Sequence, residues 1–344
     1  MAQQKAGTSV FFKRSRWLSV QAILLLAFGF VFSPMEPAAA GTVKHIATFE
    51  ELAQSVRRAQ PGDVLTLAPG TYEFRHKIKL DRPGKKNAPI ILRAAKLGDV
   101  RIKGGGVAFN VSAPYWIVEN LDVEGVCSKD QWCEHAFHIF GNAQGVIIRG
   151  NRLHEYNAMI KMNGTNDRSV KKGQRPQRIY PNDVLIENNI FFNSAIRDTG
   201  NPVTPIDVVG GRRIIIRGNL IADFAKSGRD KISYAAFLKG MSREGIFERN
   251  LVICELAHSG HIRVGLSFGG GGTGKGLFDE PVGGTEHSDG IMRNNIIMNC
   301  PNEVGIYLNK SSNTKIYNNT FTVPGGFRCE VQHFEMMERS RRTH

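Results

Sequence analysis

The segment GVIIRGNRLHE, residues 145–155, contains a pattern that returns five more times along the chain. Each copy has one asparagine, an apolar residue three positions before it and another apolar residue two positions after it. The six asparagines are Asn151, Asn189, Asn219, Asn250, Asn295 and Asn319. Their spacings are 38, 30, 31, 45 and 24 residues, so a constant segment alternates with excursions of variable length. The sequence therefore predicts a repeat protein.

A solenoid built from short strands accommodates this pattern. Each coil of a solenoid adds strands to a shared core, and loops of any length can leave from one side. Parallel strands of neighbouring coils lie about 4.8 Å apart, so equivalent side chains stack directly above one another. An asparagine at a turn tolerates the left-handed backbone conformation and can hydrogen-bond to the turns above and below it. A leucine-rich repeat is excluded by the missing leucine pattern, and a β-sandwich would not stack asparagines at one turn.

One amphipathic helix is predicted before the repeats, over residues 48–59. Thr48 can cap this helix, and Glu51 completes a capping box. The helix and the repeats together resemble the secreted right-handed parallel β-helix proteins over roughly residues 45–323. The resemblance implies an all-β fold, a single right-handed parallel β-helix domain over residues 41–326 whose first coil is covered by the capping helix.

The two ends of the chain differ from the repeats. Basic residues precede an apolar run over residues 17–32, and three alanines over 38–40 offer a cleavage site, so residues 1–40 are predicted to be a secretory signal peptide. An uncleaved membrane anchor is the alternative, although the run is short for a bilayer and no later segment is long and apolar enough to span one. Residues 327–344 have neither the repeat nor a cap, and we expect an irregular tail at a truncated or altered end, with a long ordered tail as the alternative.

The charge of the chain indicates an anionic partner. The whole chain has a formal charge of +14, and without residues 1–40 it keeps 41 basic and 30 acidic residues, a charge of +11. For a secreted or periplasmic protein, which we expect to be a monomer, the polyanions within reach are acidic polysaccharides, lipid headgroups and stray nucleic acid. Nucleic acid is not expected as a partner, because no sequence motif for binding it occurs.

The five cysteines are too few for a disulfide framework, but export permits single bonds. Cys127 and Cys133 enclose a short polar loop and form the first candidate pair. Cys254 and Cys300 can face each other if the coils stack as predicted. Cys329 would then be left over.

Lys239 and Arg263 are the candidates for catalysis. The segments FLKGMSREGIFERN and HIRVGLSFGG resemble the region of chondroitinase B-like and β-helical alginate lyases in which a lysine precedes an arginine by about one coil. The resemblance implies that Lys239 is the catalytic base and that Arg263 binds the acidic sugar and assists proton return. β-Elimination of a uronate needs a base for the C5 proton and a positive charge for the carboxylate. A lysine can be that base if neighbouring cations lower its pKa.

The chain departs from these lyases at two points. Arg263 is followed by valine rather than histidine, and Ile232, Ser233 and Tyr234 stand where acidic metal ligands are expected. Bound Ca²⁺ therefore depends on Asp207 and Asp230, which can equally be solvated or turn-capping residues.

Further charged residues are candidates for binding substrate. They lie in a basic loop, in a Gly-Gly-Arg-Arg segment and in the segment GGTEHSDG, and they are Arg168, Lys171, Lys172, Arg175, Arg178, Arg212, Arg213, Glu286 and His287. A solvated loop explains the first group equally well. The predicted function is a lyase acting on an acidic polysaccharide, and the alternatives are a uronate C5-epimerase and a non-catalytic glycan-binding protein.

Overall fold

The computed structural model describes residues 41–167, 178–274, 285–302 and 304–322, and the backbone of residues 331–333. All of these belong to one compact unit. The predicted signal peptide lies outside the described residues, as do Cys329 and the basic residues Arg168, Lys171, Lys172 and Arg175. No helix among the described residues is long and apolar enough to cross a membrane.

The described residues form a right-handed parallel β-helix whose coils each add one strand to three sheets, here named sheets A, B and C. Sheet A consists of β1 (Val43–Ile46), β2 (Val64–Leu67), β5 (Ile90–Arg93), β8 (Trp116–Glu119), β11 (Ile147–Arg149), β16 (Leu185–Glu187), β19 (Ile215–Arg217), β23 (Ile246–Glu248), β27 (Ile291–Arg293) and β31 (Lys315–Tyr317). Sheet B consists of β3 (Gly70–Phe74), β6 (Val100–Gly104), β9 (Asp122–Gly125), β12 (Arg152–His154), β17 (Ile190–Phe192), β20 (Leu220–Ala222), β24 (Leu251–Ile253), β28 (Ile296–Met298) and β32 (Thr320–Thr322). Sheet C consists of β4 (Ile78–Leu80), β7 (Val107–Val111), β10 (His135–Phe140), β13 (Ile160–Asn163), β18 (Ile206–Val209), β21 (Ile232–Lys239), β25 (Ile262–Phe268), β29 (Ile306–Leu308) and β33 (Val331–His333).

Two small sheets and two helices complete the described structure. The antiparallel pair β14 (Thr165–Asn166) and β15 (Arg178–Ile179) lies beside sheet C, and a three-stranded sheet contains β22 (Ser242–Arg243), β26 (His287–Ser288) and β30 (Ser311–Ser312). The 3₁₀ helix spans Asp130–Trp132. Helix α1 spans Phe49–Arg58, within the predicted range, and has the predicted capping box between Thr48 and Glu51. Its apolar side is buried in the core and contacts β2, β3 and β4.

The repeated asparagines form a ladder at the turn between sheets A and B. The Asn219 Oδ1 atom accepts hydrogen bonds from the backbone N–H and the side-chain amide of Asn189, at 2.9 and 3.1 Å. The side-chain amide of Asn219 in turn donates to Ile186 O at 3.0 Å and to Asn250 Oδ1 at 3.0 Å. The same bonds recur from Asn151 to Asn319. Each turn therefore provides hydrogen-bond partners for the buried polar groups of the neighbouring turn.

The left-handed residue at this turn is not the ladder asparagine, as the sequence had suggested, but the residue before it. The residues with positive φ, between 54° and 64°, are Gly150, Asn188, Gly218, Arg249, Asn294 and Asn318. The ladder asparagines themselves are not among the residues with positive φ. In the preceding coil Leu121 occupies the ladder position and donates its N–H to Asn151 Oδ1 at 2.9 Å, so the ladder starts at Asn151.

The stacking of the coils also builds the apolar core and brings the cysteines of each disulfide together. The apolar residues on either side of the ladder are fully buried in the central coils, for example Ile186, Ile216, Phe191 and Ile221. Disulfides join Cys127 to Cys133 and Cys254 to Cys300, with Cα–Cα distances of 5.6 and 4.9 Å.

Within the predicted tail the structure describes only the backbone of residues 331–333. Strand β33 pairs in parallel with β29, with Val331 opposite Ile306, and so extends sheet C by one strand. The sequence showed no repeat there because sheet C strands lack the ladder asparagine.

Candidate functional site

The outer face of sheet C carries a row of polar residues that ends at Lys239. His138, Lys161, Asp207 and Phe237 are successive register partners on four neighbouring strands. Two residues further along the same strands, Phe140, Asn163, Val209 and Lys239 are register partners in the same way. Alternate residues of a strand point to the same side, so both rows share one face. We call His138, Lys161, Asn163, Asp207 and Lys239 the polar patch.

Short hydrogen bonds hold four members of the polar patch in pairs. The Lys161 Nζ atom lies 2.8 Å from Asp207 Oδ1. The His138 Nε2 atom lies 2.7 Å from Asn163 Oδ1. Asn163 is oriented by the bond from its side-chain amide to Gly164 O at 2.9 Å, so His138 Nε2 carries the proton and donates it. Burial lowers the pKa of His138, which is therefore neutral at pH 7.

The surroundings of Lys239 disfavour its charged form. Burial lowers its pKa below the ordinary lysine value, the charge of Asp207 opposes this, and the charge of Lys161 adds to it. Its Nζ atom donates to Gly272 O at 2.9 Å and lies 4.5 Å from the centre of the Phe237 ring. A lysine with a lowered pKa loses its proton more readily than an ordinary lysine, which suits a general base.

A glycine bend covers Lys239, and Glu286 anchors it. A Cβ atom at Gly270, where φ is +50°, would lie 3.0 Å from the Phe237 ring, so a side chain has no room there. The two Glu286 carboxylate oxygens accept hydrogen bonds from Thr273 N at 2.6 Å, from Thr273 Oγ1 at 2.6 Å and from Gly240 N at 2.7 Å. Glu286 is only 1% exposed, which does not favour its predicted role in substrate binding. It positions the bend instead.

His287 is also an interior residue, which does not favour its predicted role in substrate binding. Its ring stacks on Phe268 at 3.9 Å between ring centres, and its Nδ1 atom lies 2.8 Å from Ser242 Oγ. Burial lowers the pKa of His287 to about 3, so the ring is neutral.

Arg263 does not join Lys239. It lies opposite Ser233, six residues before Lys239 on β21, which is roughly 20 Å along a strand. The guanidinium is 1% exposed, bonds to the carbonyls of Cys254 and Gly260 and lies 3.6 Å from Asp223 Oδ1. Arg263 therefore ties the disulfide-bonded corner together, and this buried position away from Lys239 does not favour the predicted role in binding the acidic sugar. Two residues that are about one coil apart in sequence, such as Lys239 and Arg263, need not occupy the same position along their strands.

The predicted aspartates do not fit a calcium site. Asp207 is paired with Lys161, and the Asp230 carboxylate lies 2.8 Å from the ammonium of Lys226. Ca²⁺ needs six to eight oxygen ligands, and an ammonium at hydrogen-bond distance competes with it for the carboxylate. Within the described ranges, no group of three or more His, Cys, Asp or Glu side chains could hold a metal ion.

The basic residues with described positions separate into two groups. Arg178 and Arg212 line a cavity that also contains Gly240, the residue after Lys239. Arg213 points elsewhere and holds Asp183 with two hydrogen bonds of 2.6 and 2.9 Å. This ion pair engages the guanidinium and does not favour the predicted role of Arg213 in binding substrate.

The sequence did not reveal Lys161, His138 or Asn163 as members of the site. His138 lies on β10, and Lys161 and Asn163 lie on β13. The segment between β13 and the next ladder turn differs in length from the equivalent segments of the other coils, so sequence spacing does not align these residues with Lys239. The available signal was the alternation in HAFHIF and IKMN, which places polar residues on one strand face.

Comparison with known proteins identifies the fold. The family model for chondroitinase B matches residues 46–146, which end before Lys239. An alginate lyase from Paenibacillus sp. str. FPU-7 is 13% identical with a TM-score of 0.50, and the match covers 82% of this chain and 98% of that one. The PL6 family alginate lyase AlyGC is 15% identical over 80% of this chain and 40% of its own, with a TM-score of 0.37. Pectate lyase Pel9A is 13% identical over 81% and 78%, with a TM-score of 0.40. No curated protein sequence matches.

Proposed function

We propose that the protein is a secreted or periplasmic polysaccharide lyase that cleaves an acidic, uronate-containing polysaccharide by β-elimination, with Lys239 as the base. The observation that carries the proposal is the buried position of Lys239 beside Lys161, which lowers the pKa of Lys239 on the outer face of sheet C. The partial match to the chondroitinase B family and the fold shared with an alginate lyase support it. The two disulfides are consistent with an oxidising compartment.

The proposed reaction consumes no co-reactant. Neutral Lys239 Nζ accepts the C5 proton of the uronate, and the electron pair of that C–H bond forms the C4=C5 double bond. The C4–O4 bond breaks, and its electrons leave with the O4 oxygen. The ammonium formed at Lys239 can then deliver its proton to that oxygen, which restores the neutral base for the next turnover.

Lys161 supplies the positive charge that the reaction requires. The carboxylate of the substrate gains negative charge as the C5 proton leaves, and an ammonium beside it stabilises the transition state. An ammonium has three N–H donors, of which Asp207 uses one, so donors remain for the substrate. By strand spacing the Cα atoms of Lys161 and Lys239 lie roughly 12 Å apart, so their side chains can reach one sugar from two sides. Lys161 thus takes the role that the sequence suggested for Arg263.

The proposal is tested with a panel of acidic polysaccharides that differ in their uronate. The exported form is incubated with alginate, pectate, chondroitin sulfate and dermatan sulfate, with and without Ca²⁺, and the ultraviolet absorbance of the unsaturated uronate product is followed. We expect product from at least one polymer. A folded protein that gives no product from any of them contradicts the proposal. A changed uronate composition without cleavage would indicate a C5-epimerase, and binding alone a glycan-binding protein.

A further inference from the structure

A cavity of about 340 Å³ lies at the N-terminal end of the solenoid, between helix α1 and strand β4. Its apolar lining residues are Ala53 and Val56 from the helix and Ile78 from the strand, and all three are buried. A second cavity of about 480 Å³ continues towards the start of the helix and shares Ala53, Arg57 and His76 with the first. We call the two cavities together the α1 groove.

Strand β4 is the edge of sheet C on the side of the α1 groove. Among the described strands it pairs only with β7, with Lys79 opposite Asn110. Leu80 O accepts a hydrogen bond from Ser112 N at 3.2 Å, so the backbone groups of Leu80 point towards β7. Successive residues of a strand direct their backbone groups to opposite sides, so the N–H and C=O of Lys79 point away from β7. Lys79 also lines the groove, so an edge that can pair with one more strand lies beside it.

A strand added to β4 would contact two kinds of side chain. Ile78 is buried and belongs to the apolar floor, while Lys79 is exposed on the opposite face of β4. The side chains of an extended partner alternate in the same way. The charged residues that line the first cavity are Arg57, Lys77, Lys79 and a single carboxylate, Asp81. One set of partner side chains would therefore meet an apolar floor, and the other set a positively charged rim.

The positive rim selects among possible partners. Opposite charges on neighbouring strands stabilise the pairing, and like charges directly opposite each other destabilise it. Lysines on an edge strand therefore repel a basic strand and favour an acidic one. An acidic polysaccharide would also meet the positive charge, but it has no row of peptide groups to pair with those of Lys79. In the second cavity the charge is balanced, because Arg75 Nη1 lies 3.3 Å from Glu50 Oε1.

We propose that the α1 groove is a docking site for an extended acidic segment of another protein, which adds a strand to the edge of β4. The segment alternates apolar residues, which pack on the floor, with acidic residues, which face the lysines of β4. The inference does not depend on the proposed reaction, because Lys239 lies on β21, five strands along sheet C from β4 and roughly 24 Å away by strand spacing.

Substitutions at Lys79 separate the contribution of charge from that of the backbone. Lys79→Ala removes the ammonium, and Lys79→Pro removes both the ammonium and the N–H that points away from β7. Proline is tolerated on edge strands, and this N–H makes no hydrogen bond to β7. The double variant Lys77→Glu/Lys79→Glu reverses the charge of the rim. Lys96→Glu, at an exposed lysine between β5 and β6, is the control for charge reversal.

The probes are short fluorescent peptides added to the exported form of the protein. One peptide alternates glutamate with valine, and a second has lysine in place of glutamate. A third is the glutamate peptide with alternate backbone nitrogens methylated, so that it cannot form the hydrogen bonds of a strand. Circular dichroism and thermal unfolding confirm that each variant is folded. Hydrogen exchange reports whether the backbone N–H groups of β4 are protected by the bound peptide.

We expect the glutamate peptide to bind with a Kd below about 1 mM, and the lysine and methylated peptides to bind at least about tenfold more weakly. Lys79→Ala should weaken binding of the glutamate peptide about threefold, the value of one exposed ion pair, and Lys79→Pro about a further fivefold, the value of one hydrogen bond. The double variant should prefer the lysine peptide, and Lys96→Glu should bind the glutamate peptide within about twofold of the unmodified protein. Exchange in β4 should slow when the glutamate peptide binds.

Three results would overturn the docking site. Equal binding by folded Lys79→Ala and Lys79→Pro would show that no strand is added to β4. Displacement of the peptide by an equal concentration of oligogalacturonate would show that the groove binds an acidic glycan instead. Absence of binding by the glutamate peptide would remove the basis for an acidic partner.

Discussion

Burial lowers the pKa of Lys239, and the charge of Asp207 opposes this effect. Asp207 lies opposite Phe237, two residues before Lys239, so strand geometry puts the Cα atoms of Asp207 and Lys239 roughly 8 Å apart. At an effective dielectric constant near 20, a charge pair at this distance interacts by roughly 2 kcal/mol, or about 1.5 pH units. Solvent screening reduces this value, so we expect a shift of about one unit on removal of the charge.

The sign of the shift follows from the direction of the interaction. The Asp207 carboxylate raises the pKa of Lys239, so Asp207→Asn lowers it, and Lys161, no longer neutralised, lowers it further. The rising limb of kcat/KM against pH should therefore move to lower pH by about one unit.

Asp230→Asn is the control for this experiment. Asp230 also faces a lysine at 2.8 Å, but it precedes Lys239 by nine residues, roughly 30 Å of extended chain. The pH profile of Asp230→Asn should match that of the unmodified protein. An unshifted profile for folded Asp207→Asn, or a shift to higher pH, would refute the assignment of Lys239 as the titrating base.

Two further predictions concern the scaffold. Asn219→Ala removes four buried ladder hydrogen bonds and leaves groups of both neighbouring coils unsatisfied. Urea denaturation should therefore show that the free energy of unfolding falls by about 3 kcal/mol. The control, Asn201→Ala in a partly exposed loop, should lower it by less than about 1 kcal/mol. Equal losses would contradict the ladder. His287 has a pKa of about 3 when folded and about 6.5 when unfolded, so its stabilising contribution is complete above pH 6.5 and is lost as the pH falls towards 3. The unfolding free energy of the unmodified protein should fall between pH 6.5 and 4 by on the order of 3 kcal/mol more than that of His287→Gln, and parallel curves would refute the burial of a neutral ring.

The scaffold could be predicted from the sequence because its hydrogen bonds and its core recur with the same residues. Asn219 and its flanking apolar residues Ile216 and Ile221 occupy equivalent places in every coil, so stacking alone brings them together. Helix α1 was predictable because its cap and its apolar face are local.

The site was less predictable because it depends on the position along the strands of sheet C. Lys239 lies on the outer face of sheet C, and the cation that affects its pKa is Lys161, 78 residues earlier in sequence. The excursions between coils vary in length, so spacing could not align Lys161 with Asp207. The same uncertainty made Arg263 look like a neighbour of Lys239, although its register partner is Ser233.

The most direct test of Lys239 as the catalytic base compares two substitutions at that position. Lys239→Ala removes the base, and Lys239→Arg keeps a positive charge that does not deprotonate at working pH. Lys315→Ala, an exposed lysine on sheet A, is the control. On the polymer that gives unsaturated product, both Lys239 variants should lose at least about a hundredfold in kcat while Lys315→Ala keeps full activity. Product formation by either folded Lys239 variant at the unmodified rate would contradict the assignment of the base.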